Sequence, residues 1–281
     1  MYESIEIRKP VVSVVVEPRT VREMDRLREL LGAMTDEDPT LSFRDDADTG
    51  QILLSGMGEL HLEITIDRLV REHAMEVRKG NPQVVYRETV ASVGLEESVF
   101  EREIAERQVK VATVVAVSPA PRGSGVRISD RFRLLGLAPD VADAVEMGLR
   151  EGAFFGALGY PVDDVTIELS RLEFLSGVPS PMAAKVAAAK AFHEAYEKGK
   201  PYLLEPVMSV EIVVPDEFLG GVIGDVNARR GKVTSVDRRP GGSFLSAAIP
   251  LKEMFGYVTA LRSLSQGRGN YTMKFSHYDK G

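Results

Sequence analysis

The side chains best suited to chemistry are few and scattered. The histidines are His61, His73, His193 and His277, and there is no cysteine. No two histidines are three or four residues apart, so no helical pair can hold zinc, and a metal site would need acids gathered by folding. Each histidine is expected to be a surface or packing residue. Asp45, Asp46 and Asp48 invite a calcium reading. The twelfth loop position, where a bidentate carboxylate belongs, is Gly56 counted from Asp45 and Met57 counted from Asp46. Counting from Asp48 reaches Glu59, but the third and fifth positions are then Gly50 and Ile52, which carry no side-chain oxygen. A solvated turn is the better reading. No G-x-x-x-x-G-K-[ST] loop exists to cradle phosphates and magnesium, and Gly56-Met57-Gly58 reads as a tight strand-to-helix turn. There is no G-x-S-x-G elbow either, so no catalytic constellation is legible.

The cations are more informative. Arg229-Arg230, Arg238-Arg239, Arg262 and Arg268 are the densest basic features. A guanidinium fork donates two parallel hydrogen bonds to phosphate, although Arg229-Arg230 before Gly231 also suits a helix C-terminus. The 281 residues carry 35 basic and 42 acidic side chains, a net charge of −7 that argues against a nucleic-acid-coating protein. That average hides a gradient. Residues 10–88 hold 10 basic and 16 acidic side chains and residues 89–203 hold 13 and 16, whereas residues 204–281 hold 10 and 8. Only the last third favours RNA. The apolar share of 44% and charged share of 27% are those of a globular chain. Without cysteine there is no disulfide framework or thiolate nucleophile. The run Val11–Val16 is too short for a signal segment or a bilayer span, so a soluble, cytoplasmic protein is expected.

The elements that must position these residues follow from periodicity. Val11–Val16 predicts a strand ended at Glu17-Pro18, and Thr20 with Glu23 forms a capping box. Val21, Met24, Leu27, Leu31 and Met34 continue it as a helix. Leu41–Phe43 and Ile52–Leu54 flank a hairpin turn, Leu62, Ile66 and Leu69 mark a second helix, and Met75–Val77 a last strand. The pattern βαββαβ is the ferredoxin-like unit. It recurs at the end of the chain. There Val207–Val214 is a strand and Asp216 caps a helix through Phe218, Val222, Ile223 and Val226, with Gly231 left-handed at its end. Lys232–Val236 and Phe244–Ile249 form a hairpin around Pro240-Gly241-Gly242. Leu251, Met254, Phe255, Val258 and Leu261 mark one helix, and Tyr271–Phe275 closes the sheet. Between the two units, Val109–Val117, Val126–Ile128 and Val162–Leu169 predict strands. Helices are predicted from Pro139 to near Gly152 and from Pro181, capped by Ser180, to Gly199. The fold class is therefore α+β, with a third α/β domain in the middle.

Several stretches together resemble the C-terminal half of elongation factor G. Ile52-Leu53-Leu54-Ser55-Gly56-Met57-Gly58-Glu59-Leu60-His61-Leu62-Glu63 is similar to its third-domain signature, and Gly80-Asn81-Pro82-Gln83-Val84-Val85-Tyr86-Arg87-Glu88 to the exit from that domain. Ile223-Gly224-Asp225-Val226-Asn227-Ala228-Arg229-Arg230-Gly231, Met254-Phe255-Gly256-Tyr257, Leu261-Arg262-Ser263 and Gln266-Gly267-Arg268-Gly269 resemble the helices of its fifth. The resemblance implies a tail of the preceding domain at 1–9, a ferredoxin-like domain three at 10–88, a ribosomal-protein-S5-like domain four at 89–203 and a ferredoxin-like domain five at 204–281. It also implies a translational GTPase that promotes tRNA–mRNA translocation. GTP and magnesium would sit in an N-terminal domain outside this chain, which itself holds no cofactor. Its partners would be both ribosomal subunits and tRNA–mRNA at the decoding site, with the protein a monomer and no membrane involved. RNA contact carries over to Arg229, Arg230, Arg262 and Arg268.

The middle domain departs from that family. Where a glycine-rich loop and a Tyr-Gly-His-like element are usual, this chain has Ala105-Glu106-Arg107-Gln108-Val109-Lys110-Val111. Where an aspartate-rich loop with a histidine at its tip is usual, it has Ser170-Arg171-Leu172-Glu173-Phe174-Leu175-Ser176-Gly177-Val178-Pro179-Ser180. Arg171, Leu175, Ser176, Gly177, Val178 and Ser180 are expected at the tip that meets RNA or a protein partner. The change raises a paralogue acting in recycling, back-translocation or ribosome protection. A small-molecule-sensing module is the alternative of another class, since tandem ferredoxin-like units also serve as regulatory domains. An RNA-recognition motif is disfavoured, because Gln51–Leu54 has no aromatic platform. Calorimetric titration of this chain with GTP and Mg²⁺ is expected to give no saturable heat; a micromolar site would overturn the reading.

Overall fold

A computed structural model describes residues 10–45, 51–104 and 107–281. The expected tail at 1–9, most of the acidic turn (46–50) and Ala105-Glu106 lie outside the described residues. The chain divides into two compact units, Met1–Val85 with Pro206–Ser276, and Tyr86–Glu205 with His277–Gly281.

The valine run forms β1 (Val12–Pro18), followed by α1 (Met24–Glu37), β2 (Ser42–Asp45), β3 (Ile52–Gly56), α2 (Glu59–Arg71), β4 (Val77–Lys79) and the short β5 (Gln83–Val84). The antiparallel order β2-β3-β1-β4, with β5 added to β1, is the expected split βαβ sheet. Leu27, Leu31 and Met34 of α1 and Leu62 and Leu69 of α2 are buried, as are Val12, Val14, Val16, Ile52 and Leu54 of the strands. The Glu23 carboxylate accepts from the Thr20 N–H at 3.2 Å and hydroxyl at 2.8 Å, but a 3-10 turn over Val21–Glu23 delays α1 to Met24. His61 is a structural residue. Its Nδ1 accepts the Met57 N–H at 3.2 Å, which leaves Nε2 to donate to Asp38 at 3.1 Å and ties the start of α2 to the end of α1. Thr40 donates its hydroxyl (2.6 Å) and N–H (2.8 Å) to Asp38, which holds that carboxyl below its ordinary range.

The middle of the chain supplies β6 (Arg87–Val90), β7 (Gly94–Ile104), β8 (Arg107–Pro119), β9 (Val126–Ile128), α3 (Pro139–Gly152), β10 (Val165–Ser176) and α4 (Pro181–Lys198). The sheet order is β7-β8-β10-β9, with only β9 and β10 parallel. Helix α4 buries Ala183, Ala184, Ala187, Ala188, Ala191 and Ala195. Its backbone approaches closely: a Cβ on Gly94 would drive into the Ala195 carbonyl, and one on Gly148 into that of Lys185. The 170–180 segment is corrected here. Residues through Ser176 belong to β10 and pair with β8, from Arg171↔Val114 to Ser176↔Lys110, past a bulge at Ser170. The loop is only Gly177 to Ser180, because alternation puts Leu172 and Phe174 on the core face and Arg171 and Glu173 on the other.

A buried polar network fastens β6. Arg87 Nη1 donates to Asp163 at 2.6 Å, with side chains 10% and 8% exposed, and its guanidinium lies 4.9 Å from the Tyr278 ring centroid. Glu88 has no exposed surface, and its carboxylate accepts the N–H of Leu158 at 3.0 Å and of Tyr160 at 2.9 Å. The Glu88 backbone binds Pro161 O at 3.0 Å and the Asp163 N–H at 2.8 Å. Burial, and then the Glu88 charge, push the Tyr196 phenol well above its ordinary value. A Cβ on Gly156 would enter the Glu88 carboxyl, which makes glycine obligatory there.

The chain ends with β11 (Pro201–Val214), α5 (Leu219–Ala228), β12 (Lys232–Arg239), β13 (Gly242–Pro250), α6 (Leu251–Met254), α7 (Tyr257–Leu264) and β14 (Asn270–Lys280), in the order β12-β13-β11-β14. This repeats the arrangement of the first sheet. Three local expectations are corrected. Asp216 does not cap a helix, since its carboxylate takes the Ser243 hydroxyl at 2.5 Å and α5 starts three residues on, at Leu219. The left-handed residue after α5 is Arg230 (φ 56°), while Gly231 donates to Val226 O at 2.9 Å and Arg230 to Asn227 O at 3.1 Å, a Schellman closure. Glycine is needed at 231 for clearance, because a Cβ would lie 2.7 Å from Val226 O. The single helix expected after Pro250 is broken into α6 and α7 by Gly256 at φ 72°.

Replacing Arg87 with Leu strands the Asp163 carboxylate in a dry site and is expected to cost about 3–5 kcal/mol in chemical denaturation. A loss under about 1 kcal/mol would show that the pair is not what fastens β6.

Candidate nucleic-acid interface

The arginines singled out by sequence differ in how firmly the fold holds them. Arg229, at the end of α5, donates to Asp225 at 2.8 Å and to Glu253 O at 2.5 Å, and its guanidinium sits 4.9 Å from the Tyr257 ring centroid. It is a cross-brace between α5 and α6. Burial and the Asp225 charge push the Tyr257 phenol up to about 12. Arg230 is half-exposed and pairs with Glu253 at 3.5 Å. Arg268 reaches Glu217 at 2.6 Å and lies 4.6 Å from the Phe218 ring centroid, and it is also about half-exposed. Exposed pairs of this kind contribute little to stability and exchange readily for another anion. Arg262, in the last turn of α7, is exposed and has no carboxylate partner among the described residues. It lines a groove of about 530 Å³ with Leu60, His61, Val258, Tyr271 and Lys274, at the start of α2.

The tip of the middle unit is assembled from the far end of the β7–β8 hairpin and the Gly177–Ser180 loop. Gly177 has φ 85°, and a Cβ there would lie 2.9 Å from Gln108 O, so the loop presses on the hairpin backbone. The Ser176 hydroxyl donates to Gln108 O at 3.4 Å. Ser180 stands at the N-cap position of α4, but its hydroxyl makes no capping bond. Leu175, Val178 and Met182 are 47%, 62% and 64% exposed, and no charged residue occurs between Glu173 and Lys185. Arg171 is not brought to the tip. It lies back along β10 on the sheet's open face, donating to Glu173 at 2.6 Å and Glu97 at 3.1 Å. Leu172 is buried rather than available.

Among the described residues no three His, Asp or Glu side chains converge as a ligand set, and no helix is long and apolar enough to cross a membrane. Sequence reasoning misses Phe244, whose ring carries the Arg239 guanidinium 4.9 Å from its centroid on the open face of the last sheet. The available signal is the alternation of Phe244 and Ser246 with Leu245 and Ala247.

Two ferredoxin-like sheets, an intervening α/β unit and exposed arginines on the last segment make this an α+β protein with several sheets. Three family descriptions match in succession: "Elongation Factor G, domain III" over residues 7–81, "Elongation factor G, domain IV" over 82–200 and "Elongation factor G C-terminus" over 202–281. The chain belongs to the elongation factor G family. It is 40% identical over 280 residues to an elongation factor G of Aquifex pyrophilus, a match that covers 99% of this chain and 40% of that protein. A crystal structure of a Thermus thermophilus protein superposes with a TM-score of 0.69 at 31% identity, covering 99% of this chain and 42% of the other. The chain thus spans about two fifths of the length of the relatives it matches.

Replacing Arg229 with Ala is expected to lower stability by about 1–3 kcal/mol, since two charge-assisted hydrogen bonds go. The Arg262→Ala change should stay within about 0.5 kcal/mol. Thermal denaturation of both variants checks the division, and the reverse ranking would sink it.

Proposed function

We propose that this chain is the ribosome-binding part of a translational GTPase that promotes tRNA–mRNA translocation during elongation. The observation that carries the reading is the unbroken succession of three elongation factor G domains along the chain. On this reading residues 1–9 end a preceding domain, and domains three, four and five occupy 10–88, 89–203 and 204–281. GTP and magnesium belong to a domain outside this chain, whose own residues offer no phosphate loop. The partners are ribosomal RNA and proteins of both subunits, with tRNA–mRNA at the decoding site, and the factor works as a cytoplasmic monomer. Arg262 and the half-exposed Arg230 and Arg268 face ribosomal phosphates, while Arg229 braces α5 against α6. The residues Leu175, Ser176, Gly177, Val178 and Ser180 form the decoding-site tip, with Arg171 set back from it.

A second reading is favoured by one observation. The tip presents Leu175, Val178 and Met182 from a stretch, residues 174–184, that carries no charge of its own, which suits base edges or a protein surface better than a phosphate backbone. That fits a paralogue acting in recycling, back-translocation or ribosome protection.

Cosedimentation tests the first reading. The chain should pellet with ribosomes and be displaced by an intact elongation factor. Replacing Arg262 and Arg268 together with Ala should make binding less steep with salt, by about 0.7–0.9 for each phosphate no longer neutralised. An unchanged slope would make these arginines structural, and no pelleting would reject ribosome binding. Grafting residues 170–180 onto a translocating factor separates the two readings. Surviving translocation supports the translocase, whereas collapse with ribosome binding intact supports the paralogue.

A further inference from the structure

The last sheet buries one face under its helices and leaves the other open. Along β13, Leu245, Ala247 and Ile249 are buried, while Phe244 and Ser246 turn the opposite way and are half-buried. Register places Val213 of β11 on one side of Phe244 and Asp237 of β12 on the other. The β12–β13 turn is a two-residue loop in which Pro240 fixes the first position and Gly241 takes φ 108°, and it returns Arg239 to the open face. The Arg239 guanidinium stands 4.9 Å from the Phe244 ring centroid and 3.8 Å from Asp237. These residues, with Glu211 and Asn270, line a groove of about 470 Å³. That volume is the size of a small-ligand site.

We propose that this groove holds a single unstacked base of an RNA strand on the Phe244 ring. An aromatic ring on the open face of a sheet is a stacking platform, and the planar guanidinium that covers it gives way to the base and takes the adjoining phosphate. Asp237 and Glu211 are exposed acceptors, so they pair with the exocyclic amino groups of adenine, cytosine or guanine, which uracil lacks. The displaced Arg239 can meet the phosphate of a strand, whereas it would repel the Lys or Arg of a cationic peptide, which favours the strand. The surrounding segment, residues 204–281, is also the only net-positive one. The proposal deepens the ribosome-binding reading and rests on it for the source of the strand, an unpaired stretch of ribosomal RNA.

Fluorescence anisotropy of the full chain with labelled octamers of adenylate, cytidylate and uridylate tests it. Adenylate and cytidylate should bind several-fold tighter than uridylate. Phe244→Ala should weaken adenylate binding about 5- to 100-fold with the salt slope unchanged, and Phe244→Trp should retain it. Arg239→Ala should reduce the salt slope by about 0.7. Equal binding by wild type and Phe244→Ala overturns the proposal, as does loss in Phe244→Trp equal to that in Phe244→Ala. Displacement of the octamer by an oligo-lysine peptide that binds the chain, or by AMP as effectively as by unlabelled octamer, also overturns it. Ribosome pelleting separates the two readings. If wild type and Phe244→Ala pellet alike and neither binds the octamers, the base site fails and ribosome binding stands. If octamer binding needs Phe244 but wild type does not pellet, the base site stands and the ribosomal source fails.

Discussion

A carboxylate without exposed surface must be surrounded by donors, and Glu88 meets that demand by drawing the 158–161 turn onto β6 through the Leu158 and Tyr160 N–H groups. Its neighbour Arg87 faces the same demand with the opposite sign and answers it with Asp163. Between them, two adjacent residues of a four-residue strand fix where β10 begins and where β11 starts, since β6 pairs with Pro201–Leu204. Once those starts are set, the β8–β10 pairing runs on to Ser176 through register shifts between Leu169 and Arg171 and between Phe174 and Ser176, and it holds the base of the tip. Removing Arg87 would leave the buried Asp163 charge without its cation, and removing Glu88 would leave the Leu158 and Tyr160 N–H groups without their acceptor, so each loss reaches beyond the residue removed.

Surface arginines are often counted as a nucleic-acid footprint, but geometry decides what each can do. Arg229 spends its donors on Asp225 and the Glu253 carbonyl and cannot turn to solvent without opening the α5–α6 corner. Arg268 holds an exposed carboxylate, so exchanging it for phosphate trades one screened ion pair for another. Arg262 starts with none. A ranking of contribution to phosphate binding therefore runs opposite to a ranking by density along the chain, where Arg229-Arg230 stands out.

How far the sequence reveals this structure depends on the length scale of each determinant. The Val11–Val16 run, the Leu27–Leu31–Met34 stripe and the paired turns set both ferredoxin-like sheets, because each signal lies within a few residues. Strand β7 is hard to see in the sequence, since Glu96, Glu97, Glu101 and Glu103 mask its alternation, as is common at a sheet edge. The far half of β10 reads as loop for the same reason, although Arg171-Leu172-Glu173-Phe174 does alternate. The Glu253 carbonyl that Arg229 binds and the N–H donors that Glu88 binds lie 24 and about 70 residues away along the chain, beyond any local pattern. Phe244 falls between these cases: its alternation is visible, but which face of β13 stays open depends on helices packed from elsewhere.

The close approaches of α4 at two glycines have a mechanical meaning. Where Gly94 and Gly148 let backbone rest on backbone, no flexible side chain stands between the helix and its supports to take up a displacement by changing rotamer. Alanines along the buried stripe add none. A push on the Gly177–Ser180 tip, at the N-terminal end of that helix, is therefore passed along it as along a strut, with little compliance before the load reaches Tyr196 and the last turn.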